Sequence, residues 1–204
     1  MPADDLFDLL RSRRSIRKFK PEPVPRATLE HLVSMAAWAP SAGNRQDWLF
    51  TVVTAAETKQ AMAEIVRRRW QEIVAANSAE SDNVEFEAYT RNFDFFASAP
   101  AVIAVFARKV STFQVHLMGE AAPIAGGSIV SVAMATQNLM LAAHALGLGT
   151  CCLTGAVAAR QALEQLLHAG RRHELICLVA LGIADETPAA PTRKDVSEIA
   201  RFIE

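Results

Sequence analysis

Apolar side chains recur along this chain with helical spacing in some stretches and crowd into short unbroken runs in others. "DDLFDLLRSR" (4–13) has Leu6, Leu9 and Leu10 on one face, acids early and bases late, which predicts a short amphipathic helix with a favourable dipole. "KPEPVP" (20–25) carries three prolines in five residues and enforces an extended connector. "RATLEHLVSMAAWA" (26–39) predicts a second helix ended by Pro40, and "SAGNRQD" (41–47) has the composition of a loop. "WLFTVVT" (48–54), "PAVIAVFAR" (100–108) and "ELICLVALGIA" (174–184) are β-branched or continuously apolar and predict buried strands. Charged helical patterns cover 56–77 and roughly 83–98. After a break at Pro123, Gly126 and Gly127, "SIVSVAMATQNLMLAAHALG" (128–147) is apolar on nearly every side and predicts a long central helix.

Beyond that helix, "GLGTCCLTG" (147–155) predicts a helix stop, a short strand and a turn, followed by a helix over 157–168. "ADETPAAPT" (184–192) is a linker, and "RKDVSEIARFIE" (193–204) predicts a closing amphipathic helix. Four strands separated by helices are compatible with a doubly wound sheet. The long central helix and the uneven spacing fit an α+β layer fold better. The 204 residues are expected to form one domain.

Charge changes the picture locally. The net charge is −1, so no global field draws the chain to nucleic acid or to an anionic membrane. Yet residues 11–20 hold six basic side chains and no acid, with "RRSIRKFK" (13–20) at their heart. A basic patch that binds polyanions is one use for such a cluster, but near-neutrality argues against it. "RRRW" (67–70) is read as a solvated helix face with Trp70 tucked inward. Three cysteines, Cys151, Cys152 and Cys177, make no disulfide framework and are read as small buried strand residues. The N-terminus has acids where a secretory signal needs positive charge. Polar residues also interrupt 128–146 too often for a membrane span. The expected location is the cytoplasm.

The chemistry a sequence can advertise is mostly missing. The five histidines have no HxxxH or HxH spacing, and no P-loop or nucleophile elbow occurs. "GLGTCC" carries two glycines of a dinucleotide fingerprint, but Cys152 takes the final position and the element order is reversed. His144 and His173 are candidate bases with no nucleophile placed beside them. Ser131 with Asn138, and Gln137 with His144, share faces of the long helix, either as satisfied polar groups or as ligand contacts. An enzyme so short of side-chain acid–base groups points to a cofactor that carries the reaction. An arginine-rich helix end suits a phosphate, because guanidinium forks match its oxygens, and Arg193 and Lys194 add positive charge.

"RRSIRKF" (13–19), followed by "APSAGNRQDW" (39–48), resembles the signature pair of the nitroreductase family of FMN enzymes. "TQNLMLAAHALGLGTC" (136–151) and "LGIADETPAAPTRKDVSEI" (181–199) are similar to that family too, in the same order, while 55–118 matches loosely. The resemblance implies an α+β fold, an intimate homodimer and one FMN at each end of its interface. It implies that Arg13, Arg14 and Ser15 hold the phosphate and ribityl chain, and that Arg17 lies near the flavin N1 and O2 edge. Pro40, Ser41, Asn44 and Gln46 match the loop reaching the partner's flavin. Thr154 and Gly155 match the turn whose N–H groups approach N5, and Arg193 and Lys194 match basic residues near the phosphate. The activity implied is hydride transfer from NADH or NADPH through the flavin to a nitroaromatic, quinone or similar acceptor. Reductive dehalogenation, flavin fragmentation, metabolite dehydrogenation, or flavin or deazaflavin binding without turnover are the alternatives on the same scaffold. One departure stands out: Asp47 replaces the usual proline of "QPW", which alters the loop or pairs with a nearby arginine.

Overall fold

A computed structural model describes residues 3–76, 93–122 and 127–203. Its centre is a four-stranded antiparallel sheet of β1 (Trp48–Val53), β2 (Ala101–Arg108), β3 (Gly149–Leu153) and β4 (His173–Gly182), in the order β1-β2-β4-β3. The inner strands β2 and β4 are covered on both faces, which is why they read as unbroken apolar runs. The helices are α1 (Ala3–Ser12), α2 (Arg26–Ala36), α3 (Ala56–Ala76), α4 (Thr112–Met118), α5 (Ser128–Ala145), α6 (Arg160–Leu166) and α7 (Val196–Ile199). The expected α+β architecture with a long central helix is what the chain adopts.

Side-chain alternation along the strands divides the core in two. Val102, Ala104, Phe106, Leu175 and Leu178 pack with Met62 and Val66 of α3 and Leu163 of α6. Ile103, Val105, Cys177, Val179 and Leu181 pack with Leu29 and Leu32 of α2 and Val132 and Leu139 of α5. Leu175 and Leu178 share a face despite their odd spacing because the β2–β4 register shifts between Val105 and Phe106.

Several elements differ from the sequence pattern. Helix α2 stops at Ala36, three residues before the expected end, and the chain turns through 37–39 ahead of Pro40. The helix expected over 157–168 starts as a 3-10 turn, Gly155–Ala159, and becomes α-helical only over Arg160–Leu166. Of the helix expected over 83–98, residues 83–92 lie outside the described residues, and Phe95–Ser98 is a 3-10 turn. The closing helix is a single turn capped by Asp195 and Glu198. Val196, Ile199, Phe202 and Ile203 are exposed there, so no core face holds a longer helix in one chain. Helix α4 escaped the periodicity, although its Ser111–Gln114 capping box is a sequence-level signal.

Lys59 of α3 is 7% exposed, and its Nζ donates to the carbonyls of Ala99 and Pro100, tying α3 to the entry of β2. Burial holds its pKa below the usual lysine value. Lys59→Met strands both carbonyls and is expected to cost about 1–3 kcal/mol. Urea unfolding with an unchanged m-value checks this.

Candidate functional site

The basic bend is fastened to the sheet through its backbone. Ser15 bridges Thr150 in parallel, and the Ile16 N–H donates to Thr150 O at 2.9 Å. Further along, Lys20 N–H donates to Ile183 O, Asp185 N–H donates to Lys18 O, and the Glu186 carboxylate accepts the N–H groups of Arg17 and Lys18. Gly149 makes the close approach possible: a Cβ there would sit 2.8 Å from Ile16 Cγ1. Residues 13–17 therefore lie along the edge of β3, beside the C-terminal end of α5, where Ser12 Oγ and His144 Nε2 are 2.8 Å apart.

Three arginines gather at this bend, where the Glu186 carboxylate is taken up by backbone N–H groups rather than by a guanidinium. Arg14 Nη1 donates to the carbonyls of Arg11 and Arg13 at 2.6 and 2.9 Å. Among the described residues, the guanidinium groups of Arg13, Arg14 and Arg17 have no carboxylate partner, whereas Arg26, Arg67, Arg69 and Arg160 all do. Ser15 is half-buried beside them. A cavity of about 500 Å³ opens next to the bend, lined by Arg17, Phe93, Phe95, Cys151, Cys152, Leu153, Thr154 and Gly155. The expected neighbours Arg17, Thr154 and Gly155 are thus brought together.

The local field is legible in nearby groups. Burial, then the charges of Arg13 and Arg14, hold the His144 pKa below the usual histidine value. Burial pushes the Cys151 thiol up, against the pull of Arg17. Cys151 and Cys177 are buried as expected, but Cys152 is exposed at the cavity wall, because β3 is an edge strand and one of its faces lacks cover.

The second predicted group lies elsewhere. Ser41 precedes a short 3-10 turn, Ala42–Asn44, which Asn44 ends, and Gln46 follows it. Ala42 N–H donates to Ser131 Oγ at 3.3 Å, which fixes the loop after Pro40 at the N-terminal end of α5. Gln46 N–H donates to Ser41 Oγ at 3.1 Å, and Gln46 Nε2 to Asn44 Oδ1 at 3.4 Å. Asn44 and Gln46 both adopt positive φ (51° and 52°), conformations that cost energy and concentrate at functional sites. Asp47 holds the loop down. Its carboxylate, 8% exposed, meets Arg45 Nε at 2.8 Å and Arg108 Nη1 at 3.8 Å, and accepts from Ser128 Oγ at 3.2 Å. The charged residue in place of proline is therefore an anchor in its own right.

One chain does not unite these two groups. Ser131 and His144 mark them on α5, thirteen residues and so about 20 Å apart along the helix axis. Arg193 and Lys194 form a third group, exposed on the extended run before α7. Arg193 Nη1 donates only to Thr192 O at 3.4 Å, and neither residue touches the bend among the described residues. Phe93 and Phe95 were missed by sequence reasoning; they lie in the loosely matching region, where no motif assigns an aromatic residue a place. Among the described residues, no group of three or more His, Cys, Asp or Glu is placed to hold a metal ion. None of their helices is long and apolar enough to cross a membrane.

A basic bend on a strand edge, an adjoining cavity and a strained polar loop match more than an isolated motif. The model described as Nitroreductase family matches residues 10–183. The chain belongs to the nitroreductase family. Curated nitroreductase-family relatives include a 4-nitrobenzoate reductase of Pseudomonas putida, 24% identical over 98% of this chain and 94% of the relative. A 5,6-dimethylbenzimidazole synthase of Rhodobacter capsulatus is 30% identical over 92% of this chain and 87% of its own length. Among solved structures, a BluB-like flavoprotein from Clostridium difficile 630 superposes with a TM-score of 0.86, at 28% identity over 98% and 99% of the two chains. An iodotyrosine deiodinase bound to FMN and 3-iodo-L-tyrosine gives a TM-score of 0.76, at 25% identity over 98% and 99%. The nitroreductase family thus spans several reactions on one flavoenzyme scaffold.

Proposed function

We propose that this protein is an FMN-dependent oxidoreductase of the nitroreductase family. It takes hydride from NADH or NADPH and delivers it to a nitroaromatic, quinone or similar electrophilic acceptor. The observation that carries this reading is the trio of guanidinium groups at the bend that pair with no carboxylate among the described residues, one of which, Arg17, lines the cavity with Thr154 and Gly155. Clustered like charges are unfavourable unless an anion joins them, and a phosphate with its polar chain fits that need. Arg13, Arg14 and Ser15 would hold the phosphate and ribityl chain. Arg17 would stand at the pyrimidine edge of the ring, and the backbone at Thr154 and Gly155 at N5. When bound, FMN supplies two-electron hydride chemistry at N5. The fixed cation of Arg17 favours the electron-rich state of the ring, and no side-chain acid or base has to act. One open face then serves the two substrates in turn, a ping-pong scheme.

The working unit in this proposal is a homodimer. Its two chains run α5 past each other so that the Ser41–Gln46 loop of one meets the bend of the other. Support comes from the separation of the two groups within one chain and from the exposed apolar side chains around them. Val130 and Ala133 lie bare along α5, Phe7 and Leu10 on α1, and Trp38 (81% exposed) follows α2. Arg193 and Lys194 would close on the phosphate in the assembled form. Free cysteines suit a reducing cytoplasm as the place of action.

A second reading keeps fold and cofactor but changes the reaction. It is favoured by the higher identity to the dimethylbenzimidazole synthase than to the nitrobenzoate reductase. The visible absorption spectrum of the purified protein, taken anaerobically before and after NADH and NADPH, tests both. Bleaching of a bound flavin by either nucleotide supports the reductase. A flavin that neither nucleotide bleaches favours the second reading, and a colourless protein that takes up no FMN sinks the proposal.

His144 reports the phosphate independently. In the flavin-free protein it is expected to titrate below the usual value of about 6.5. Because the unfolded chain then holds more protons, stability falls as pH drops through about 6.5 toward the lowered folded value, and is regained above it. Binding FMN offsets the charges of Arg13 and Arg14, so the titration moves upward. NMR titration of the His144 ring with and without FMN checks the shift.

A further inference from the structure

Gly155, where the chain leaves β3, is gripped from the helix that the sequence motifs do not include. Trp70 of α3 donates its Nε1–H to the Gly155 carbonyl at 3.1 Å. The indole stacks on Phe93, with centroids 4.9 Å apart and planes 19° from parallel. Phe93 in turn lies directly over Gly155, since a Cβ on that residue would sit 2.3 Å from Phe93 Cε1. The Gly155 N–H opens the 3-10 turn Gly155–Ala159, so it has no partner within that turn, and Gly155 lines the cavity with Arg17.

We infer that Trp70 is a positioning residue for Gly155: it holds the carbonyl of the Gly155–Ala156 peptide while Phe93 bears on the Cα, so that the N–H of the preceding Thr154–Gly155 peptide keeps one orientation where Gly155 lines the cavity. The inference rests on the reading of that cavity as the flavin site. A backbone donor contributes to hydride transfer only if it is already aimed when charge moves, because reorientation would consume the gain. Small misplacements of such groups cost large factors in rate. The indole restrains the peptide that follows the Gly155 Cα through a hydrogen bond, and the phenyl ring restrains the Cα itself through contact. A side chain large enough to fill space but unable to donate would supply the contact without the aim.

Trp70→Phe keeps an aromatic ring against Phe93 and removes the donor, together with the extra volume of the indole. In the flavin-free protein, the Gly155 amide is expected to drop from a rigid order parameter of about 0.85 to below about 0.7 in 15N relaxation. With FMN, affinity stays within about threefold, the flavin absorption bands shift, and flavin reduction by NADPH slows about tenfold, the scale of one lost hydrogen bond. An unchanged Gly155 amide overturns the inference. So does a loosened amide with unaltered flavin bands and reduction rate, which would leave Trp70 a packing residue. A wild-type protein that takes up no FMN overturns the reading of the cavity and the inference with it; the relaxation arm still shows whether the grip exists. Should Trp70→Phe fail to fold, Phe93→Leu loosens the same residue at its Cα and is held to the same outcomes.

Discussion

Replacing Arg13 and Arg17 together by alanine is expected to weaken FMN binding by roughly 100- to 10,000-fold while leaving the fold intact. The estimate follows from two hydrogen bonds to charged groups, each contributing about 1.5–3 kcal/mol. Arg17 is exposed in the single chain, which places its share toward the low end. Neither guanidinium is needed to hold the bend, because Ser15–Lys20 is fastened by backbone bonds to Thr150 and Ile183. The melting temperature should therefore stay level, or rise slightly as like charges are removed. Arg17→Ala alone should lower the flavin's reduction potential even where FMN remains bound, by about 30 mV for each tenfold loss of preference for the reduced form. Fluorescence titration with FMN and spectroelectrochemistry are the measurements. Affinity that is unmoved by the double substitution would remove the phosphate role from the bend.

The second large effect is complementation between two defective proteins. A bend variant (Arg13→Ala with Arg17→Ala) and a loop variant (Ser41→Ala with Asn44→Ala) should each bind FMN poorly on their own. Subunits that exchange at random form half mixed dimers. Each mixed dimer pairs the intact bend of one chain with the intact loop of the other, at one of its two sites. About a quarter of the wild-type flavin sites should therefore return on mixing, a consequence of two-fold symmetry and closure. The expectation depends on the two groups lying at opposite ends of α5, near Ser131 and His144. A site contained within one chain would recover nothing. Flavin absorbance after unfolding and refolding the mixture decides between the two cases.

Much of the architecture was legible in the one-dimensional pattern because burial on both faces leaves a plain signature. β2 and β4 are continuous apolar runs since no face of theirs meets water, and α5 is apolar nearly all round. The apolar pattern of α5 also misled. In one chain Val130 and Ala133 remain exposed, so the apolar pattern does not correspond to burial on every face; the proposed dimer would cover them. The closing helix is shorter than its pattern because Val196, Ile199 and Phe202 meet no apolar surface among the described residues. Asp47 shows the other limit. That it differs from the usual proline is visible in the sequence, but its grip on Arg45, Arg108 and Ser128 joins residues up to 81 positions apart.

By itself, the sequence determined the local chemistry of this protein: a basic bend at 13–17 with no acid within it, the glycine and polar turn residues, and which strands would be buried on both faces. These depend on near neighbours and on side-chain transfer from water, both of which are written residue by residue. Only the tertiary structure decided that the bend would lie against β3 and that Phe93 and Trp70 would close on Gly155. It also decided that the strained loop would sit at the far end of α5. Such contacts depend on sheet order and helix length, which carry residues remote in sequence to one place and separate others that the motifs suggest belong together.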